Sequence, residues 1–132
     1  MSKYVYPAVF THEPEGGFSI SFPDVPHCYT QGEDIKDGFE MAADVLALTL
    51  YGMERDGKST PAASNVKSLS VDENSFATLV MCDTDAYKKM HNNKAVKKTL
   101  SIPEWLNEEA MERGINFSQT LQDALVEKLE QQ

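Results

Sequence analysis

Apolar and polar positions in residues 4–30 follow patterns typical of β-strands. Residues 4–11 are rich in aromatic and β-branched side chains, and the two glycines at 16–17 mark a hairpin turn. In residues 18–22, three apolar side chains alternate with two serines, so one face of this second strand is apolar. The proline-rich run 23–26 breaks the strand, and residues 27–30 resume it. The pattern predicts a three-stranded antiparallel sheet.

A helical period replaces the alternation after Asp34. Apolar residues recur at spacings of three and four between residues 35 and 53, and Asp34 is placed to cap the helix that they predict. The helix should cover the apolar face of the sheet and stop near Gly57. Residues 58–65 then predict an exposed loop.

Two further elements complete the first part of the chain. The nearly continuous apolar run 76–82 predicts an inner strand, and residues 83–90 predict a short polar helix. We therefore expect an α+β fold with a β-β-β-α-β domain over residues 1–90. Residues 91–94 contain turn-forming side chains and predict a hinge.

The last part of the chain begins with another alternating segment. In residues 96–102, Leu100 and Ile102 share one side of a predicted strand, and three polar side chains share the other. Lys98 falls on the apolar side. The polar set comprises Lys97, Thr99 and Ser101.

Two helices follow this segment. Pro103 suits a first helical turn, residues 105–111 give the helix an apolar side, and Gly114 is placed to end it in a left-handed conformation. Ser118 is placed to cap a second amphipathic helix. A unit of this size with a single strand cannot bury these faces alone, so residues 95–132 predict a homodimer.

The order of strand, helix and helix resembles the ribbon-helix-helix repressors, on the motifs at 97–103 and 114–118. The resemblance implies a two-stranded ribbon in the major groove of operator DNA, with Lys97, Thr99 and Ser101 facing the bases. It also implies that backbone N–H groups at the start of the second helix bind a DNA phosphate. These groups lie around Asn116, Phe117 and Ser118. The alternative is a plain dimerisation unit without DNA binding.

Together with this terminal unit, residues 22–33 resemble the HicB antitoxins, with His27 where glycine is usual. This resemblance spans nearly the whole chain. It implies a partial RNase H-like fold for the first domain, which binds and masks a small HicA toxin, an mRNA-cutting ribonuclease. It also implies that the complex represses its own operon.

The charge distribution fits a basic partner for the first domain. The formal net charge is -9, and residues 1–93 carry seven basic and fourteen acidic side chains, a net of -7. A ribonuclease that grips RNA presents a basic surface, which this acidity would attract. Acidic residues in loops or at the helix start are Glu13, Glu15, Asp24, Glu33, Asp34 and Asp37. As toxin contacts we predict Asp24, His27, Glu33 and Asp34.

Two other classes of function stay open. Carboxylates near predicted strand ends would suit a metal-dependent nuclease, and these are Asp24, Glu33, Asp34, Asp83 and Asp85. Alternatively, the first domain senses a small ligand. We expect no enzyme activity, no cofactor and no metal. The spacing of the two cysteines predicts two buried thiols, at Cys28 and Cys82. The chain has no predicted membrane segment and should be cytoplasmic, with assembly of dimers into a tetramer left open.

Overall fold

The computed structural model describes residues 2–131, and the chain divides into two compact units, residues 1–94 and 95–132. Each unit is treated separately below. In the first unit the elements are β1 (Lys3–His12), β2 (Phe18–Ser21), β3 (Tyr29–Gly32), α1 (Ile35–Arg55), a single 3-10 turn (Val66–Ser68), β4 (Ser75–Asp83) and α2 (Thr84–His91). In the second unit they are α3 (Glu104–Glu112) and α4 (Phe117–Glu130).

The four strands form one antiparallel sheet in the order β3-β2-β1-β4, and α1 packs on one face of it. The core lies between them. Its fully buried large side chains include Phe10 and Ile20 from the sheet and Leu46 and Leu50 from the helix. The predicted α+β class and the β-β-β-α-β order are confirmed. No helix within residues 2–131 has the length and apolarity needed to cross a bilayer.

Helix α1 begins where the sequence predicts. The Asp37 N–H donates to Asp34 Oδ1 at 2.7 Å, and the Glu33 N–H donates to Asp37 Oδ2 at 2.8 Å. These two carboxylates satisfy backbone donors at the helix start, which would otherwise lack acceptors. At the other end Gly57 has a φ of 71°, which terminates the helix with a residue free of a Cβ penalty.

A contact between glycine backbones locks β3 to the first turn of α1. A Cβ at Gly32 would lie 2.5 Å from the Gly38 Cα, and a Cβ at Gly17 would lie 2.7 Å from the Gly32 carbonyl oxygen. Both distances are far inside van der Waals contact, so any side chain would force the backbones apart. The hairpin turn, the end of β3 and the helix start are therefore held side by side.

Two predictions about the strands are wrong. Strand β4 lies at an edge of the sheet, because β1 is the only strand beside it in residues 2–131. An apolar run does not specify what lies at the hydrogen-bonding edges of a strand, and here Leu79 and Met81 are exposed on the face away from α1. Strand β3 begins at Tyr29, because His27 occupies a turn with a φ of 57°.

The second unit contains α3 and α4, joined through Gly114, whose φ of 64° confirms the predicted left-handed end. Two details differ from the prediction. Residues 96–102 form no strand within the single chain, since a lone extended segment has no neighbour to complete a ladder. The cap of α4 is Asn116, whose Oδ1 accepts the Gln119 N–H at 3.0 Å, and Ser118 lies inside the helix.

The glycine contact predicts opposite effects for two Gly→Ala substitutions. Gly32→Ala should lower the free energy of unfolding by about 1–3 kcal/mol, because the new methyl group overlaps the Gly38 backbone. Gly52→Ala is the matched control. Its Cβ meets nothing within 4 Å, and alanine in mid-helix should raise the free energy by about 0.5–1 kcal/mol. Urea titration at equal protein concentration tests both, and equal effects would contradict the contact.

Candidate partner-binding surfaces

The first candidate surface is a groove between the β1–β2 hairpin and the start of α1, with a volume of about 590 Å³. The hairpin is closed by the Glu13 N–H, which donates to the Gly17 carbonyl at 3.1 Å, and by the Gly16 N–H, which donates to the Glu13 carbonyl at 3.0 Å. Because the glycine contact holds this turn against α1, carboxylates from both elements line one cleft. They are Glu13, Glu15, Glu33 and Asp37. We call this the acidic groove.

The four predicted toxin contacts do not form one cluster. Glu33 lines the acidic groove, and Asp34 is used in capping α1 next to it. Asp24 and His27 lie in the connection from β2 to β3, which leaves the sheet at the other end of these strands. Four-residue strands separate the two ends by roughly 13 Å. Asp24 is also bonded within the chain, since it accepts the Ser64 N–H at 2.8 Å and the Ser64 hydroxyl at 2.6 Å.

The remaining carboxylates weighed for nuclease chemistry are engaged in local structure. Asp83 Oδ1 accepts the N–H groups of Asp85 and Ala86 at 2.9 and 3.2 Å and caps α2. Asp85 Oδ2 accepts the Ser2 N–H at 3.3 Å. Among residues 2–131, no group of three or more His, Cys, Asp and Glu side chains is arranged to hold a metal ion.

The two thiols are buried, as predicted. Burial raises the pKa of the Cys28 thiol, and burial together with the charge of Asp83 raises the pKa of Cys82 to about 12. Thiol chemistry requires the thiolate, so neither group is activated at neutral pH. His27, the neighbour of Cys28, is exposed at a turn. The pair therefore lacks the geometry of a nucleophile and its base.

The second candidate surface is an apolar groove of about 520 Å³ within the second unit. Not one residue between 95 and 131 is buried, and twelve large apolar side chains of this unit are exposed. The groove gathers part of this set from the extended segment and α4. Its lining comprises Lys98, Leu100, Ile102, Asn107, Phe117, Ser118, Thr120, Leu121 and Ala124.

Residues 97–102 present two different faces. Lys98, Leu100 and Ile102 line the apolar groove, which is the side to which alternation assigns them. The intervening polar residues are exposed and are not part of that lining. They are Lys97, Thr99 and Ser101, the predicted DNA contacts.

The start of α4 carries the other predicted DNA contacts. Asn116 satisfies the Gln119 N–H, and the N–H groups of Phe117 and Ser118 have no intrahelical acceptor in the first helical turn. All three residues are exposed. An anion can approach these amides, which lie at the positive end of the helix dipole.

One feature of the site escaped prediction, namely that Glu13, Glu15, Glu33 and Asp37 share a cleft. Each could be placed in a turn or at a helix start from the sequence. Their convergence depends on the contact of Gly32 with Gly38, and those glycines lie in segments that appear independent in sequence. The glycine pair 16–17 was the available indication, because it located the hairpin.

Comparisons with known proteins place the whole fold in one family. The family model described as a HicB-like antitoxin of bacterial toxin-antitoxin systems matches residues 6–127. Antitoxin HicB of Escherichia coli K12 is 36% identical over 63 residues, which are 48% of this chain and 46% of that protein. Antitoxin HicB 2 of Photorhabdus laumondii is 31% identical over 87 residues, 64% of this chain and 62% of that protein. The matches thus span about half the length of these curated relatives.

A solved structure is similar over nearly the entire length. A chain of a toxin-antitoxin complex from Streptococcus pneumoniae has a TM-score of 0.64 and 30% sequence identity. The alignment covers 96% of this chain and 99% of that chain. Both units, including the extended segment between α2 and α3, are thus shared with a protein solved in such a complex.

The turn at His27 gives a test of backbone strain. A φ of 57° costs a residue with a Cβ about 1–2 kcal/mol, and glycine in the unfolded chain costs about 0.5–1 kcal/mol in return. His27→Gly should therefore raise the free energy of unfolding by up to about 1 kcal/mol. His27→Ala keeps the strain and serves as the control. Equal stabilisation by both substitutions in urea titrations would exclude strain as the cause.

Proposed function

The chain belongs to the family of HicB-like antitoxins of bacterial toxin-antitoxin systems, and from this premise we propose that it binds and neutralises a small HicA-type toxin. We further propose that it represses its own operon by binding operator DNA as a dimer. In this proposal the first unit is a partial RNase H-like domain that binds the toxin. The second unit is a ribbon-helix-helix domain that pairs two chains.

The acidic groove is the observation that carries the toxin-binding proposal. A toxin that cleaves mRNA needs a basic surface for the phosphate backbone. Four carboxylates in one cleft, on a domain with a net charge of -7 over residues 1–93, offer that surface a complementary partner. Occupying the basic surface of the toxin would also exclude RNA from it. Of the predicted contacts, Glu33 and Asp34 lie at this groove.

Asp24 and His27 do not lie at the acidic groove. They lie at the opposite end of β2 and β3, where the Asp24 carboxylate is bonded to Ser64. A toxin that contacts both ends would have to cross the outer face of these strands. That face carries Ser19, Ser21 and Gln31 together with the exposed ring of Tyr29.

Pairing of the second unit follows from its exposed apolar surface. Two copies of residues 96–102, joined antiparallel, would give each segment the ladder partner that a single chain lacks. The same arrangement would let the helices of one copy fill the apolar groove of the other. Lys98 is compatible with this arrangement, because its aliphatic stem can follow the groove while its charge extends past the edge to phosphate.

We propose that DNA binds to the polar face of the ribbon, which pairing leaves exposed. A two-stranded ribbon fits the major groove of B-DNA, where Lys97 can donate to guanine acceptors and Thr99 and Ser101 can bond several bases. The amides at the start of α4, around Asn116, Phe117 and Ser118, would bind a backbone phosphate. The two activities then occupy separate units of the chain.

Removing charge from the acidic groove should slow capture of the toxin. Glu15→Gln combined with Glu33→Gln should reduce the association rate about 3–10-fold at low salt, with the difference shrinking as salt screens the charges. Stopped-flow mixing with the purified toxin measures this rate.

The control for this experiment removes the same charge elsewhere. Glu108 and Glu130 are exposed on α3 and α4, so Glu108→Gln with Glu130→Gln should leave the association rate nearly unchanged. Equal rates for both double variants would show that the groove is not where the toxin binds.

The separation of the two activities can be tested with the ribbon residues. Lys97→Ala combined with Thr99→Ala should abolish specific operator binding, because each base contact contributes about 1–3 kcal/mol. Toxin neutralisation should remain, because these residues lie outside the first unit. Gel-shift titration and a toxin rescue assay measure the two effects, with Lys128→Ala as a control for loss of charge. Loss of neutralisation as well would show that operator binding and toxin binding do not lie on separate units.

A further inference from the structure

Helix α3 carries a polar side chain on the face that is turned toward the apolar groove. Asn107 and Ala110 are half-buried, and every other residue between 95 and 131 is exposed. A spacing of three residues places these two on the same face of a helix. Asn107 is also the one residue of α3 that lines the groove. An asparagine therefore occupies a position of α3 where a core side chain would be expected.

The side-chain amide of Asn107 is poorly satisfied within the chain. In residues 2–131 its hydrogen bond runs from Nδ2 to the Met111 sulfur at 3.5 Å, and a thioether is a weak acceptor. An amide can donate two hydrogen bonds and accept two more. Water can supply these in a single chain, because the groove is open to solvent. A partner that fills the groove would displace this water and would have to replace its hydrogen bonds.

A second polar side chain lines the same groove from the end of the first turn of α4. Thr120 lies there among apolar residues of the lining. The side chains of Asn116 and Gln119 are used in hydrogen bonds within the helix, whereas the Thr120 hydroxyl takes part in neither of these bonds. A hydroxyl can both donate and accept. Asn107 and Thr120 thus carry complementary groups, and their own chain leaves both available.

We propose that the amide of Asn107 bonds to the Thr120 hydroxyl of a second copy of this chain, and that this bond selects an identical chain as partner. The inference rests on the pairing of second units in the proposed function. In a two-fold pair, a contact from one residue to another occurs again with the roles of the chains exchanged. Both amides and both hydroxyls are therefore satisfied at once. The other polar residues of the lining, Lys98 and Ser118, lie where they are proposed to meet phosphate.

The polar pair gives the groove a selectivity that apolar contacts lack. A wholly apolar groove accepts any apolar surface of matching shape. A chain of similar shape with apolar side chains at positions 107 and 120 would bury the amide and the hydroxyl without partners. An unsatisfied buried polar group costs more than a formed hydrogen bond returns, so such a chain is rejected although its apolar contacts fit.

Two substitutions that roughly conserve volume test the bond in the full-length chain. Asn107→Leu and Thr120→Val should each raise the dissociation constant of the second unit at least about tenfold, because each leaves two polar groups unpaired in a dimer. The double variant should return to within about threefold of the wild type, because replacing both partners by apolar groups removes the unpaired groups. Protection of the α4 amides against hydrogen exchange, followed on dilution, reports pairing of this unit alone.

Gln122→Leu is the matched control for a polar side chain replaced by leucine. Gln122 is exposed on α4 and does not line the groove, so this variant should keep the dissociation constant of the wild type within about twofold. A tenfold change in the control would show that the effect of Asn107→Leu is not specific to the groove.

Mixing the two single variants tests whether the bond crosses from one chain to the other. In a mixed pair, one interface half keeps Asn107 opposite Thr120, and two apolar side chains face each other in the other half. No polar group is then left unpaired. At a concentration where neither variant protects its α4 amides alone, an equimolar mixture should protect them. Absence of protection in the mixture would overturn the proposal, because a bond within one chain cannot be restored by mixing.

Selectivity can be measured by adding the double variant to dilute wild-type chains. The α4 peptides of the two chains differ in mass at position 120, so mass spectrometry reads the exchange of each chain separately. The double variant should leave protection of wild-type α4 nearly unchanged, whereas the same amount of additional wild type should raise it. Equal effects of both additions would show that the pair does not select the partner.

These measurements separate failure of the bond from failure of the proposed function. If protection of α4 in the wild type does not depend on concentration and the chain sediments as a monomer, pairing of the second unit itself is refuted. If the wild type pairs but the losses from Asn107→Leu and Thr120→Val add in the double variant, the pairing stands and the bond between the two side chains is refuted.

Discussion

A segment that buries none of its own side chains cannot hold a fixed fold by itself, and this constraint governs the second unit of the chain. Residues 95–131 expose twelve large apolar side chains, and several of these line a groove that no residue of this unit fills. Covering such a surface supplies most of the free energy that orders a small helical unit. An identical copy provides a matching surface. Dimerisation and folding of this unit would then be a single process, and the face proposed to bind DNA would exist only in the paired form.

The first unit differs from the second because it has a buried core of its own. Phe10, Ile20, Leu46 and Leu50 are enclosed between the sheet and α1. We therefore expect this domain to fold without a partner. Its glycine contacts position the hairpin against the helix and thereby concentrate acidic side chains in one cleft. The net charge of -9 is compatible with DNA binding for this reason, since most of the acidity lies in the domain that is proposed to bind the basic toxin.

Much of the fold could be predicted because periodicity and capping are local properties. The spacing of apolar residues located α1, and Asp34 and Gly114 marked helix ends that the structure confirms. The edge position of β4 was missed, because alternation reveals the faces of a strand and not its neighbours. The cap at Asn116 was missed, because Asn and Ser are equally good caps two residues apart. The acidic groove depends on a contact between two distant glycines, and the individual contacts with toxin and DNA remain predictions.

Hydrogen exchange measured over a range of protein concentrations can show whether folding of the second unit depends on pairing. If the second unit folds only when paired, the amides of α3 and α4 should lose protection on dilution, while those of β1 and α1 stay protected. The concentration at which protection is lost should equal the dissociation constant of the dimer. Protection of α3 and α4 that is independent of concentration, in a chain that sediments as a monomer, would contradict coupled folding and pairing.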